Sequence, residues 1–550
     1  MGKTTRTVTA LHRRELLRGV GAMAGGAILT ACGGATPGST STAPSATTGP
    51  NIPTTAATGS TRPIVASSAA EVGALRYAWQ DVGNPTPFQI SVVGPGGAVL
   101  LSLLYDTLTW KDANGIIPWL ASRWETSADG LHYTFHLVEN AMWHDGTPLT
   151  AEDVRFSFDY YAKSPYRWMA TDVVQATRVA DSRTVELTLK RPYAAFLEDI
   201  AGNVPIIPRH IWEPVTDPMK YTGAGASTGS GPFRLAARNE AEGSYRLTAN
   251  PTYWRGRVRA SEWRQLNVPA TAQVEVARQG GVDISYSLDA SVRDLLANDS
   301  RLKLFESAPL SIVRLVVNTR RAPLDQKNVR QAIMFALDRA RITETLTRGS
   351  AIVGGTGVVP PETPWFNPAV PAYGYDPVKA KSLLGGKPVT VDLIADSGMR
   401  EPELMQPMLA AAGITLNVQR ADAATRTKLQ TEGNFQLALT GHIGIGGDPD
   451  YLRRWYNGEE ANAFAQGSIF DNAEYTRLGN EQAASLEPEK RKALVYRMQE
   501  ILADELPTIV LYHRRFYWMY DAARFTPMNT WGGLMNGIPL PINKLTLLGG

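Results

Sequence analysis

Cysteine is all but missing: the chain holds one, Cys32, in 550 residues. A single thiol makes no internal disulfide, and none is needed, because a chain this long buries a large core and divides into several domains. After residue 32 no apolar run approaches the roughly 20 residues that cross a bilayer as a helix. A surplus of one charge sign is also lacking. Of the formal +3, Lys3, Arg6, Arg13, Arg14 and Arg18 against Glu15 place +4 in the first 32 residues, leaving about −1 for the rest. That balance argues against a basic nucleic-acid surface. No internal repeat is visible, and neither H-E-x-x-H nor G-x-x-x-x-G-K-[ST] occurs. Aromatic rings, in contrast, are plentiful. The 13 Trp and 20 Tyr are enough to fill cores and also to line a wide cleft.

The position of the lone cysteine has a chemical reading. "LHRRELLRGVGAMAGGAILTAC" has a basic start, an uncharged stretch from Gly19 to Ala31 and then small residues, the layout of a bacterial export signal. Arg13-Arg14 followed by Glu15-Leu16-Leu17 resembles the twin-arginine signal, with His12 and Leu16 departing from its commonest form. Leu29-Thr30-Ala31-Cys32 resembles the lipobox of bacterial lipoproteins, which implies a diacylglyceryl group on Cys32 and cleavage before it. Two or three acyl chains hold a protein on a membrane where one does not. Gly33 to Thr61 carries no charge and consists mainly of Ser, Thr, Ala, Pro and Gly, a tether whose coil spans on the order of 35 Å. The expected division is an export signal over 1–31, lipidated cysteine and tether over 32–70, and a folded body from 71. The body is expected on the outer face of the bacterial cytoplasmic membrane, in the periplasm or at the cell surface, anchored by lipid.

The body mixes strands and helices. "LHYTFHLV" alternates Leu131, Tyr133, Phe135 and Leu137 with His132, Thr134 and His136, and "TVELTLK" repeats the pattern with Val185, Leu187 and Leu189. Between them Thr150 and Asp153 form a capping-box signature, with Leu149 placed to staple onto Val154. "DQKNVRQAIMFALDRARI" predicts one helix capped by Asp325, with Val329, Ile333, Ala336 and Leu337 on one face. Asp376-Pro377 opens another helix, and "PEKRKALVYRMQEIL" predicts a late one that buries Leu494, Val495, Met498, Ile501 and Leu502.

Several stretches taken together resemble one family. "YDTLTW" at 105–110 is followed by "PWLASRWETSADGLHYTFHLVENAMWHDGTPLTAEDVRFSF", then "GSGPFRL", "NPTYWRG", "VNTRRAPLDQKNVRQAIMFALDRARI", "YDPVKAKSLL" and "GGDPDY". In this order they resemble the extracytoplasmic solute-binding proteins of family 5, the peptide- and nickel-binding group that serves ABC importers. The resemblance spans about residues 72 to 545. It implies an α/β fold of the periplasmic-binding-protein-like type II, with two lobes built on central mixed sheets, a hinge, a ligand cleft and an extra subdomain in the larger lobe. Lobe I is expected over 71–310 with its subdomain about 95–222, lobe II over 311–511, and 512–550 returns to lobe I. Taken singly, Asp129-Gly130 and Asp145-Gly146 are turn dipeptides, and Asp448-Pro449 is a helix start.

Enzyme chemistry finds little support. "GASTG" at 225–229 is a literal G-x-S-x-G around Ser227, but it lies in a Gly/Ser/Thr loop followed by Pro232 and a strand pattern, whereas a nucleophile elbow needs a strand before and a helix after. His132, His136 and His144 are close enough in sequence to suggest a metal site, yet no acid is evident to orient them as ligands, and a solvated face is the better explanation. No catalytic residue, metal or cofactor is expected.

The resemblance instead implies capture of a small solute, with peptide as the default, and its delivery to the permease and ATPase subunits of an importer by a monomer. Oligosaccharide or a nickel complex is the alternative cargo, and a surface sensor or chaperone-like lipoprotein the alternative role. The expected cleft residues are Trp79 and Tyr286 from one lobe and Asn318, Trp365 and His442 from the other. Peptide binders of the family often carry an aspartate shortly before the D-P-D segment to pair the peptide's amino group. Here the corresponding position is His442 or Ile445, and neither is a carboxylate.

Overall fold

The computed structural model describes residues 71–549 except 92–93, 167, 224 and 457–469. The expected export signal, Cys32 and the expected tether lie outside the described residues.

Two large mixed sheets organise the chain. The first has seven strands in the order Leu302–Glu306, Tyr517–Asp521, Ile284–Ser287, Val72–Trp79, Ala260–Asn267, Ser244–Ala249 and Phe233–Asn239. Val72–Trp79 is its axis, parallel to both of its neighbours. The second has six strands in the order Ile352–Val353, Thr508–Arg514, Ser311–Val317, Leu437–Ile443, Val389–Asp396 and Ile414–Ala421. A four-stranded antiparallel sheet (Ala121–Thr126, His132–Leu137, Thr184–Leu189, Val174–Asp181) shares its core with the seven-stranded one. The chain passes from the first large sheet to the second between Glu306 and Ser311, and returns between Arg514 and Tyr517. This is the expected α/β class, with mixed sheets in more than one lobe.

The six-stranded sheet is covered on both faces, which is why Ser311–Val317 is buried at every position and reads as a continuous apolar run. One face packs Val313, Leu315 and Val317 with Val329, Ile333, Ala380, Met405 and Leu409 of three helices. The other packs Ile312 and Val510 with Leu452, Tyr475, Val495 and Met498. The late helix runs from Pro488 to Glu505 and buries four of its five expected positions, with Leu494 only half-buried. In the four-stranded sheet Tyr133, Phe135 and Leu137 point inward and His132 outward, as the alternation requires.

Local signals differ in how far they carry. Asp153 takes the Thr150 main-chain NH at 2.9 Å on one oxygen and the Arg209 NH at 3.1 Å on the other, so the box that starts the helix Ala151–Lys163 also holds a neighbouring segment. Asp376 accepts from the Lys379 NH at 2.8 Å and caps its helix. The single helix expected from Asp325 is two. Lys327–Ala336 stops where Leu337 turns extended, and Asp338, accepting from the Arg341 NH at 2.9 Å, caps a second helix, Arg339–Thr347. A local carboxylate bond there competes with continuing the helix. Among the described residues no helix is long and apolar enough to cross a membrane.

Candidate binding cleft

Strands of both sheets end at the chain crossing. Val72–Trp79 and its parallel neighbour Ile284–Ser287 finish there in the first sheet. In the second, Ser311 is paired with Ile443 on one side and Arg514 on the other, the last residues of two strands. Ile443 packs against the core of the first lobe, so this end of the six-stranded sheet faces that lobe. Ligands of α/β sheets collect outside the carboxyl ends of strands.

The first lobe brings rings to this place. Trp79 lies 4.7 Å from Tyr286 between ring centres, and Tyr286 lies 5.4 Å from Phe516 and 5.6 Å from Trp518. Gly96 presses on the Trp79 indole so closely that even a methyl group there would overlap it. The Trp79 Nε1 is buried with no hydrogen-bond partner among the described residues. Tyr286 is half-buried; its main-chain NH donates to Gln273 Oε1 at 3.1 Å, and its hydroxyl has no partner among the described residues.

The second lobe brings charge. Arg514 and Arg515 are adjacent and differ completely. Arg515 donates to Ser307 O at 3.1 Å and pairs with Glu362. Ser307 and Phe516 exchange two more hydrogen bonds of 2.9 Å, stitching the two crossings together. The Arg514 side chain has no ion pair or hydrogen bond among the described residues, and its Nε is buried. Its guanidinium lies over Gly441, where a methyl group would meet Nη2 at 3.2 Å. Burial raises the Tyr286 hydroxyl above its ordinary range, and the charge of Arg514 draws it back down.

His442 stands beside Gly441 with its ring 4.3 Å from that of Trp455. Burial, reinforced by the charge of Arg314, pushes it down to about 3, so the ring is neutral at physiological pH. Asn318 is at the other end of its strand, roughly 20 Å along the backbone from Ser311, with its amide donating to Phe435 O at 2.9 Å and Gly433 O at 3.2 Å. Trp365 is half-buried behind the D-P-D loop, its ring under Arg491 at 5.3 Å and its carbonyl accepting from Gln499 at 2.7 Å. The structure thus brings Trp79 and Tyr286 together, sets His442 at the same strand ends as Arg514, and engages Asn318 and Trp365 in bonds within the second lobe. Arg514 was missed by sequence reasoning. The sequence marks it only by place: the strand "TIVLY" runs directly into His-Arg-Arg.

The loop after His442 offers no free carboxylate. Asp448 receives two bonds of 2.5 Å from Arg491. Asp450 receives two of 2.7 Å from Arg453 and one of 2.7 Å from Gln482, and this pairing outweighs burial and holds it down at about 2. Ile445 is buried among apolar side chains.

A second interlobe contact lies at the segment Phe196–Ile200. The Tyr193 hydroxyl donates to Asp199 at 2.6 Å and reaches Asp450 at 3.3 Å, and Arg454 stands 3.7 Å from Asp199. Burial pushes Asp199 up to about 7 despite that arginine. Nearby, Glu198 pairs with Lys111 at 3.0 Å and lies against Gly447.

Ser227 occupies a turn that leads through Pro232 into the strand Phe233–Asn239, so no elbow forms. His144 accepts from the Gly229 NH at 3.1 Å, while His132 and His136 contact Thr188 and Glu125. Among the described residues no three His, Cys, Asp or Glu side chains gather as a metal-holding group.

The model of bacterial extracellular solute-binding proteins, family 5 Middle, matches residues 115–464. The dipeptide-binding protein of Escherichia coli (strain K12) is 27% identical over 441 residues, which cover 72% of this chain and 81% of the relative. A putative ABC transporter peptide-binding protein of Brucella ovis is 30% identical over 402 residues, covering 67% and 73%. The periplasmic binding protein DppA of Helicobacter pylori, solved in complex with the peptide STSA, superposes with a TM-score of 0.72 at 22% identity over 86% of this chain and 99% of the other.

Proposed function

The chain belongs to family 5 of the bacterial extracellular solute-binding proteins, a binding protein and not an enzyme, and from that premise we propose that it captures an oligopeptide or similar small solute between its lobes for the permease of an ABC importer. The observation that carries this reading is the meeting, at the carboxyl ends of strands from both sheets, of a ring cluster from one lobe with an unpaired cation and a neutral histidine from the other. Rings supply contact area, and a few polar groups orient the ligand. Closure follows only as far as the solute contacts both lobes better when they are shut.

In this reading the moving bodies are 71–310 with the segment after the second crossing, and 311–514, because the strand Thr508–Arg514 stays in the second sheet past the expected boundary at 511; the subdomain about 95–222 travels with the first. The paired crossings at Ser307 and Phe516 support such a hinge. Trp79, Tyr286 and His442 face the solute, and Asn318 and Trp365 act from within the second lobe. Cys32 carries lipid and holds the body on the outer face of the membrane, where the permease is. The relatives named for peptides make peptide the first cargo to try.

The test is to purify the chain, identify any co-purified small molecule by mass spectrometry, and follow melting against peptide libraries. A ligand at 100 times its Kd stabilises the native state by about 2.7 kcal/mol. A melting curve that no peptide moves removes the peptide reading, and failure of radiolabelled palmitate to enter the wild-type chain while Cys32→Ser behaves identically removes the anchor.

A further inference from the structure

Among the described residues of the proposed cleft, no free carboxylate stands ready for a peptide's amino group. An ammonium needs a carboxylate, and Asp448 and Asp450 are both consumed by buried arginines. The charge available is of the opposite sign. We propose that Arg514, with the Tyr286 hydroxyl across the crossing, binds a carboxylate of the solute, so that the solute is selected by an acidic end group and not by an ammonium.

Four observations lead there. The Arg514 guanidinium is half-exposed with its Nε buried, and it has no hydrogen bond or ion pair among the described residues, so its donors are open to an external counter-charge. The carboxylates around it are engaged elsewhere. Glu362 is held by Arg515, Glu306 by Arg293, and Glu401 accepts from the Tyr512 hydroxyl at 2.5 Å. Gly441, by lacking a side chain, leaves the guanidinium room on the strand ends. Tyr286 offers a second donor from the opposite lobe, on a ring that packs at a tilt against Trp79 and Trp518 and would face the body of the solute. A planar guanidinium fork matches the two oxygens of a carboxylate, and a contact shared between lobes is one that is complete only on closure.

The inference rests on the cleft proposed above, and the test separates the two. Binding is followed by tryptophan fluorescence of the purified chain with trialanine, N-acetyl-trialanine and trialanine amide. The acetylated peptide should bind within about threefold of trialanine, and the amide about 10- to 100-fold more weakly, the loss of one charged hydrogen-bonded contact. In Arg514→Gln the acid and the amide should bind alike, with Arg514→Lys intermediate and Tyr286→Phe showing a smaller loss. An amide that binds as well as the acid overturns the proposal, as does an Arg514→Gln variant that keeps the preference. A second panel pairs acids without peptide bonds with their neutral counterparts: benzoate with benzamide, gluconate with sorbitol. Binding confined to those acids and lost in Arg514→Gln removes the peptide reading and keeps the carboxylate site. Silence of every acid in both panels overturns the site itself.

Discussion

Two charged side chains in this molecule are treated in opposite ways. Asp106, deep in the first lobe, receives five donors: Lys544 at 2.7 Å, Trp119 at 2.7 Å, Trp254 at 3.0 Å, Tyr253 at 3.1 Å and Ser230 at 3.2 Å. Lys544 is itself fully buried and lies 4.2 Å from the centre of the Trp110 ring. Arg514, at the crossing, receives nothing. A buried polar group whose every partner is internal has no capacity left for a ligand, and its work is to hold chain segments together. One left without partners inside its own chain is where an external group can be decisive. The contrast separates scaffold from site without reference to any relative.

The largest effect is expected at Asp106. Replacing it by Ala strands Lys544 with no counter-charge inside the fold and frees the C-terminal segment that the lysine anchors. Removing one partner of a buried pair costs about 3–5 kcal/mol, so Asp106→Ala should lower the urea midpoint strongly and expose the C-terminal segment to protease. A midpoint close to wild type would mean that the five bonds are not the scaffold they look like.

A smaller effect, with a pH signature, is expected at the second interlobe contact. Asp199 faces Tyr193 and Arg454 closely, with Glu198, Asp448 and Asp450 also near. Its folded pKa is raised to about 7 from an unfolded 3.8, so the folded state binds a proton that the unfolded state has released. Its contribution is full below the unfolded value and is lost as pH rises toward 7. Three buried neutral histidines, His144, His442 and His513, pushed down by burial to about 4, 3 and 4, act in the opposite sense, weakening the fold as pH falls below 6.5. The observable is therefore the difference between Asp199→Asn and wild type, since the histidines cancel in it. That difference should move in favour of the variant between pH 4 and pH 7 and level off above. A difference independent of pH would show that Asp199 is ionised throughout.

The same contrast explains what the sequence could reveal. The stretches that identify the family come together at the satisfied centre: Asp106 from "YDTLTW", Trp119 from "PWLAS", Ser230 from "GSGPFRL", Tyr253 and Trp254 from "NPTYWRG". Residues that bond one another at fixed geometry leave a pattern in the chain, so the fold class was legible. Trp79 and Tyr286 were legible as rings at strand ends. Arg514 carries no such mark, because a residue without internal partners is constrained only by what binds it. Asn318 looked like a polar residue after a strand, but strand ends come in two kinds, and only register tells that it closes the far one through Gly433 and Phe435. The break at Leu337 escaped for a related reason, since Asp338 fits an amphipathic helix as well as it fits a cap.

The finest comparison is between neighbours. Arg515 holds Ser307 and Glu362 across the crossing, in a half-exposed setting where an ion pair and one hydrogen bond contribute about 1–2 kcal/mol together. Arg515→Gln should therefore destabilise the chain by about that much in the absence of any solute. Arg514→Gln removes no bond, and relieves a guanidinium that is only partly hydrated, so stability should change by less than about 0.5 kcal/mol, in either direction. Denaturant unfolding of the two variants beside wild type decides the matter, because their composition and location are the same and only their partners differ. Equal losses would place Arg514 among the structural arginines and close the distinction between it and Asp106. Unequal losses, with the smaller at Arg514, leave that side chain with no task inside the chain and its charge available to the cleft.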